Sequence, residues 1–172
     1  MFMNILRLWN YPQIVKKVKI EFIFIGKTTE SYLNEGINTY LKRLVNYLPA
    51  EILTLAASTS KIREKIIEEE SKLIISKIQP RDYVVLLDEK GKELTSRQLA
   101  GFLEKQMLAG TNRMVLITGG AYGVSDELKK KVHFTLSASK FTFTHQMIRL
   151  LLTEQIYRAM TILRNESYHH DW

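Results

Sequence analysis

The chain has 172 residues, 45% of them apolar and 25% charged, which is enough for one compact domain with a real core and too few for a second full domain. It contains no cysteine, which excludes a disulfide framework, a thiolate metal site and a cysteine nucleophile, and points to a reducing compartment. The formal net charge of +7 is unevenly placed. Residues 1–17 carry Arg7, Lys16 and Lys17 and no acid, and residues 18–128 balance at 15 basic and 15 acidic side chains. Residues 129–172 hold seven basic against three acidic side chains, together with all four histidines, His133, His145, His169 and His170. That last stretch is the face expected to meet a polyanion, although an excess of this size also serves solubility alone. No apolar run approaches the roughly 18 residues needed to span a bilayer. The opening Met1–Trp9 is short and interrupted by Arg7, unlike a secretory signal, so a cytoplasmic protein without a membrane partner is expected.

In chain order, Val18–Ile25 (VKIEFIFI) is a β-prone apolar run stopped at Gly26 and is predicted to be a buried strand. Thr29–Tyr47 places Leu33, Ile37, Tyr40, Leu41 and Leu44 at helical spacing, and Pro49 closes it. Glu51–Leu55 reads as a second strand and Ser60–Ile78 as a long helix ended by Pro80. Tyr83–Leu87 is a third strand followed by a turn at Asp88–Gly91. Thr95–Leu108 is a helix with Thr95 or Ser96 as its N-cap and Gly110 as its stop. Arg113–Thr118 is a fourth strand, Ser125 caps a short helix through Lys131, and Val132–Ser137 is a fifth strand. Gln146–Leu163 is the last and most apolar helix, and it needs cover on more than one side, from its own sheet and from a partner chain. Strict alternation of strand and helix predicts an α/β fold, a mostly parallel sheet with helices on both faces. Residues 1–17 add charge without a periodic element and read as an extension to a single domain over 18–172. One hypothesis is that translation starts at Val18 from a non-AUG codon.

Three segments carry candidate chemistry. Gly119-Gly120-Ala121-Tyr122-Gly123 lies between a strand and a helix, where residues lacking Cβ let backbone N–H groups approach a ligand. It is neither a dinucleotide fingerprint nor a P-loop, and a plain tight turn needing positive φ explains it equally well. Ser137–His145 (SASKFTFTH) mixes hydroxyls, a lysine and two phenylalanines. Such a loop can present backbone donors and acceptors to a polar ligand while Phe141 and Phe143 pack beneath it, or the two rings are ordinary core residues and Thr144 an ordinary cap. His145 and Arg149 are four apart on one helix face near its N-terminus, where an RNA phosphate would reconcile two cations. Glu154 and Arg158 form a second such pair, either an intrahelical ion pair or, for Arg158, an RNA contact. The tail Asn165–Trp172 (NESYHHDW) offers Tyr168, His169, His170 and Trp172 for base stacking and phosphate contact. Adjacent histidines diverge and lack a third ligand, so no metal is expected.

Taken together, VKIEFIFIGK, VVLLDEKGKELTS, ITGGAYGVS and LSASKFTFTHQMIRLLLTEQIYRAMTILRNESYHH resemble the large-subunit ribosomal RNA pseudouridine N3-methyltransferases, the ribosomal methyltransferase H family of the SPOUT superfamily. The likeness runs from Val18 to about His170 and leaves out residues 1–17 and Asp171-Trp172. It implies a SPOUT fold whose C-terminal part threads a deep trefoil knot in an obligate homodimer, which no periodicity argument would suggest. It further implies S-adenosylmethionine held against Leu87, at Gly119 and Gly120, and along Ala138, Ser139, Lys140, Phe141, Thr142 and Phe143. The implied substrate is a pseudouridine in ribosomal RNA of the assembled ribosome. Many members have proline where this chain has Thr144, a change expected to alter loop stiffness only. A sulfonium methyl donor is already electrophilic, so alignment and water exclusion dominate the chemistry. The N3 proton must still leave, and His169 is the first candidate base. His145, Arg149, Arg158 and His169 are assigned to RNA, Tyr168 to shaping the target pocket across the dimer, and Arg149 is also a candidate at the reacting centre. The rivals are a SPOUT enzyme for transfer RNA or another ribosomal nucleotide, and an idle RNA-binding module that kept the fold. A nicotinamide dehydrogenase is disfavoured by the missing glycine fingerprint.

Overall fold

The computed structural model describes residues 18–170. The readings of residues 1–17 as an extension and of Asp171 and Trp172 as part of the tail lie outside that range. Ten elements follow one another: β1 (Lys19–Ile25), α1 (Ser31–Leu44), β2 (Ala50–Leu55), α2 (Arg63–Ile75), β3 (Tyr83–Glu93), α3 (Ser96–Leu108), β4 (Arg113–Thr118), α4 (Asp126–Lys129), β5 (Phe134–Ser137) and α5 (Met147–Leu163). The strands form one sheet in the order β2-β1-β4-β3-β5, and every pairing is parallel. The expected α/β architecture is therefore present, with the sheet wholly and not just mostly parallel.

Parallel strands buried on both faces read as continuous apolar runs, which explains VKIEFIFI and RMVLIT. On one face Phe22, Phe24, Val85, Met114 and Leu116 pack against α1, α3 and α5 through Ile37, Leu103, Met107, Leu152, Ile156 and Met160. On the other face Ile23, Val84, Leu86, Val115 and Ile117 meet Ile74 of α2 and Leu128 of α4. Local signals agree with this packing. Thr95 Oγ1 accepts from Gln98 N at 3.2 Å while Gln98 Oε1 accepts from Thr95 N at 2.9 Å, a capping box worth ~1 kcal/mol. Gly110 ends α3 at φ +80°.

The third strand corrects the sequence reading. No loop follows Leu87, because β3 continues to Glu93. Leu87 and Lys92 both pair with Leu136, and the residues between them bulge out of register. The strand re-enters the sheet because Gly91 crosses directly over β5. A Cβ there would lie 2.6 Å from the Leu136 carbonyl carbon and 2.8 Å from Ser137 N. The helix and strand termini otherwise differ from the expected ones by up to three residues, as the frayed ends of Ser60–Ile78 show against Arg63–Ile75.

Gly91→Ala should lower the thermal midpoint by ~5 °C or more, since overpacking against backbone costs about 1–3 kcal/mol and each kcal/mol shifts a chain of this size by a few degrees. Gly101→Ala, on an exposed helical position with nothing within 4 Å of the new Cβ, should raise it. Calorimetric melts of the two variants check both signs.

Candidate cofactor cleft and RNA face

The carboxyl ends of β3, β4 and β5 open into a cleft of ≈1070 Å³, the position where open parallel sheets hold ligands. Its walls are Leu86–Lys90 in the bulged part of β3, residues 118–124 from the last residue of β4 onward, the end of β5 and the segment after it, His145 just before α5, Ile148 on α5, and Arg63 at the start of α2. Of the expected cofactor residues, Leu87, Gly119, Gly120, Ala138, Ser139, Phe141, Thr142 and Phe143 border this cleft. Lys140 is exposed and does not border it.

The glycine segment is both a turn and a wall. Gly123 adopts φ +84°, and its N–H donates to Gly120 O at 3.1 Å, closing an isolated bridge. A Cβ on Gly119 would lie 2.9 Å from Val124 Cγ1, and one on Gly120 only 2.1 Å from Glu70 Oε2. Only glycine can occupy these positions without displacing what lies behind them. Glu70, which falls within the helix read over Ser60–Ile78 and was not singled out there, is 5% exposed beneath the loop. Its Oε1 accepts from Ser58 N at 3.1 Å. Burial raises its pKa, a shift opposed by the Ser58 N–H and reinforced by Glu69. Next to it, Ser71 Oγ accepts from Ser125 N at 2.8 Å. Thus α2 carries the glycine turn from below. The available signal was a carboxylate and a serine on a face of α2 whose neighbours are apolar, and it becomes legible only once the pairing is known. Thr118, the last residue of β4, also escaped notice. Its hydroxyl is buried at the cleft floor without a hydrogen-bond partner among the described residues.

The hydroxyl-rich segment holds itself by its own side chains. Ser137 Oγ donates to Ser139 O at 3.1 Å, and Phe141 N donates to Ser139 Oγ at 3.1 Å. Phe141 and Phe143 do not pack beneath it, since they are 79% and 36% exposed. Thr144 caps α5 as expected, its Oγ1 accepting from Met147 N at 3.1 Å. Gln146 then ties the helix start to the β1–α1 turn, accepting from Thr29 N at 2.8 Å and donating to Thr29 Oγ1 at 3.0 Å.

Arg149 requires a correction. It is fully buried, so it offers no surface to an RNA phosphate. One terminal nitrogen donates to Ile25 O, and the other to Gly26 O at 2.9 Å and Thr28 Oγ1 at 3.0 Å. Its guanidinium lies 5.2 Å from the Phe24 ring centroid. The helix spacing that placed it beside His145 is right, but the shared face points to the sheet. Arg158 is likewise committed to Glu154, at 2.5 Å from Nη2 and 2.9 Å from Nε, and it lies over the Tyr168 ring at 4.7 Å. The intrahelical ion pair, one of the two readings of this pair, is the arrangement found. Tyr168 OH donates to Glu154 Oε1 at 3.0 Å and its ring meets Tyr157 edge-on at 4.9 Å. Burial and these partners push its phenol pKa up. Tyr168 and His169 do not border the cleft of their own chain, whereas His145 does.

The comparisons agree with this architecture. A family model described as predicted SPOUT methyltransferase matches residues 18–169. A protein of Parabacteroides distasonis named ribosomal RNA large subunit methyltransferase H is 48% identical over 159 residues, covering 90% of this chain and 100% of that protein. Proteins of the same name from Cytophaga hutchinsonii and Natranaerobius thermophilus are 41% and 42% identical, each covering 89% of this chain and 100% of the relative. Among solved structures, a probable methyltransferase of Bordetella pertussis shares the fold at TM-score 0.54 and 10% identity, over 87% of this chain and 99% of that one. A probable methylase family protein of Haemophilus influenzae does so at TM-score 0.51 and 11% identity, over 92% and 72%. The chain belongs to the SPOUT methyltransferase family and, within it, to the ribosomal RNA large subunit methyltransferase H group.

Two measurements check the site's construction. Arg149→Ala, which leaves two strand-end carbonyls without donors and opens a void over Phe24, should cost about 2–4 kcal/mol, and hydrogen exchange should rise at residues 26–30. His145 supplies a pH test. Burial, and then the charge of Arg149, lower its pKa. The unfolded imidazole therefore binds its proton first, and stability falls as pH drops below the ordinary histidine value of about 6.5. Melts from neutral to acidic pH should show a smaller loss for His145→Gln than for the parent.

Proposed function

We propose that the chain transfers a methyl group from S-adenosylmethionine to N3 of a pseudouridine in large-subunit ribosomal RNA, acting as a homodimer on the assembled ribosome. The observation that carries this reading is the convergence of the glycine turn, Leu87 and the 138–143 segment on one cleft at the sheet's carboxyl edge. The relatives' name supports ribosomal RNA as the substrate. The residues present suit the methyl donor. Gly119 and Gly120 form a turn packed so closely on Val124 and Glu70 that it carries no side chain and its backbone stands bare at the cleft, and the Thr118 hydroxyl is a buried polar atom without a partner among the described residues.

When bound, S-adenosylmethionine supplies the methyl group as a sulfonium electrophile. The chain's own part is to orient and to exclude water. Gly119 and Gly120 present bare backbone, Leu87 an apolar wall, and the main chain of Ala138–Phe143 donors and acceptors for the donor's polar ends. His145, at the mouth of the cleft, faces RNA phosphate. His169 accepts the proton lost from N3, acting in the cleft of the second subunit, and Tyr168 fixes the tail that carries it. Arg149 belongs to the positioning machinery. The half-buried Ile148, Leu151 and Leu163 on α5 support a subunit interface along that helix. The reading includes the deep trefoil knot that the family resemblance implies. A ribosomal enzyme of this kind works in the cytoplasm.

Calorimetry with S-adenosylmethionine, followed by mass spectrometry of ribosomal RNA treated with the protein, tests the reading. Binding and one added methyl on a pseudouridine are expected, and binding without transfer would leave an idle RNA-associated module. Gly120→Ala should weaken the donor at least ~10-fold, because the methyl displaces the Glu70 carboxylate and the turn above it.

A further inference from the structure

Tyr122 stands out on the cleft rim. It is 49% exposed and takes no part in either core cluster. The turn that carries it is closed by the Gly120–Gly123 bridge, so the ring is held out to solvent on a short, hydrogen-bonded support. Facing it is Arg63, the first residue of α2, whose guanidinium carbon lies 5.8 Å from the ring centroid. Arg63 is exposed and makes no ion pair among the described residues. An exposed aromatic ring beside an unneutralised guanidinium is the composition of a surface that stacks nucleobases and draws in phosphate.

Lys90 borders the cleft with Arg63, and so does Lys129, whose Nζ is paired with Asp126 Oδ1 at 3.2 Å. Asp88 and Glu89 on the same rim offset these cations, so the exposed ring with its guanidinium, and not a net positive field, selects the occupant. A single strand with flat, unpaired bases and phosphates one bond-chain away offers the ring and the guanidinium their partners together, which a lipid headgroup, having no ring, does not.

We propose that Tyr122 and Arg63 form a stacking platform for an unpaired RNA base flanking the methylated nucleotide, so that they set affinity for the RNA and not for the methyl donor. The proposal rests on the reading of the chain as an RNA methyltransferase, and its experiment separates the two. Full-length protein and the variants Tyr122→Ala, Tyr122→Phe and Arg63→Ala are compared for methyl transfer to ribosomes from cells lacking the protein. The affinity for S-adenosylmethionine is measured by calorimetry and the subunit state by sedimentation. Parent protein that transfers no methyl group defeats the underlying reading, and the platform falls with it. With parent activity present, Tyr122→Ala should raise KM for ribosomes ~10-fold, the scale of one lost base stack, and leave donor affinity within about twofold. Tyr122→Phe should stay near the parent, and Arg63→Ala should raise KM with a shallower salt dependence. An unchanged KM in Tyr122→Ala overturns the proposal. So does an equal loss of donor affinity, which would assign the ring to the donor, or dissociation of the dimer, which would assign it to the subunit contact.

Discussion

The architecture of the cleft depends on a buried cation. Arg149 carries its charge into the apolar layer between α5 and the sheet with no carboxylate beside it among the described residues. Burial lowers its pKa, yet a guanidinium starts so high that it stays charged. What retains it is the end of β1. Parallel strands that stop together leave carbonyls without a partner, and Ile25, Gly26 and Thr28 give the two terminal nitrogens of Arg149 their acceptors. The Phe24 ring covers the rest of the group. Side-chain hydrogen bonds to a charged donor are stronger than neutral ones, so one residue fixes the turn after β1 to the first turns of α5. Gln146 repeats the link one turn earlier, through Thr29. The segment from Ser137 to His145 is strung between β5 and this anchored helix, and its position follows from both ends.

The opposite wall is held from the other side of the sheet. Glu70 and Ser71 on α2 lie beneath the glycine turn, the first excluding any side chain at Gly120 and the second bonded to Ser125 N. The cleft therefore joins two helical layers that meet only at the strand ends. Small residues line its glycine turn and hydroxyl segment, apolar and charged side chains line the rest, and His145 stands at its edge. Such a lining suits a reaction in which the reagent is already activated and the protein contributes alignment, because preorganised backbone groups lose no side-chain entropy on binding. Among the described residues there is no group of three or more His, Cys, Asp or Glu that could hold a metal ion.

What could be read from the sequence follows from the range of the forces involved. β4 and a cap at Thr95 or Ser96 were legible because apolar runs and cap residues are local, and strict alternation gave a mostly parallel sheet; that Thr95 is the cap and that every pairing is parallel came from the structure. Residues 119–123 and 137–145 were also legible as unusual loops, although their meeting in space was implied only by resemblance. The extension of β3 was not legible. Asp88–Gly91 has the composition of a turn, and only the backbone of β5 beneath Gly91 brings the chain back into the sheet. Phe141 and Phe143 misled because aromatic rings are usually buried, whereas here the loop gives them nothing to pack on. Arg149 misled in the opposite sense. Position on a helix face was read correctly, but which face meets the sheet is set by β1, more than a hundred residues earlier in the chain.

The central claim is that the cleft fixed by Arg149 and Glu70 is where the methyl donor binds. A crystal structure with S-adenosylhomocysteine tests it most directly. The account predicts density for the ligand between the Gly119-Gly120 turn and residues 138–143, with the Arg149 guanidinium still on the carbonyls of Ile25 and Gly26. Ligand bound elsewhere, or Arg149 released from those carbonyls to meet it, would contradict the account.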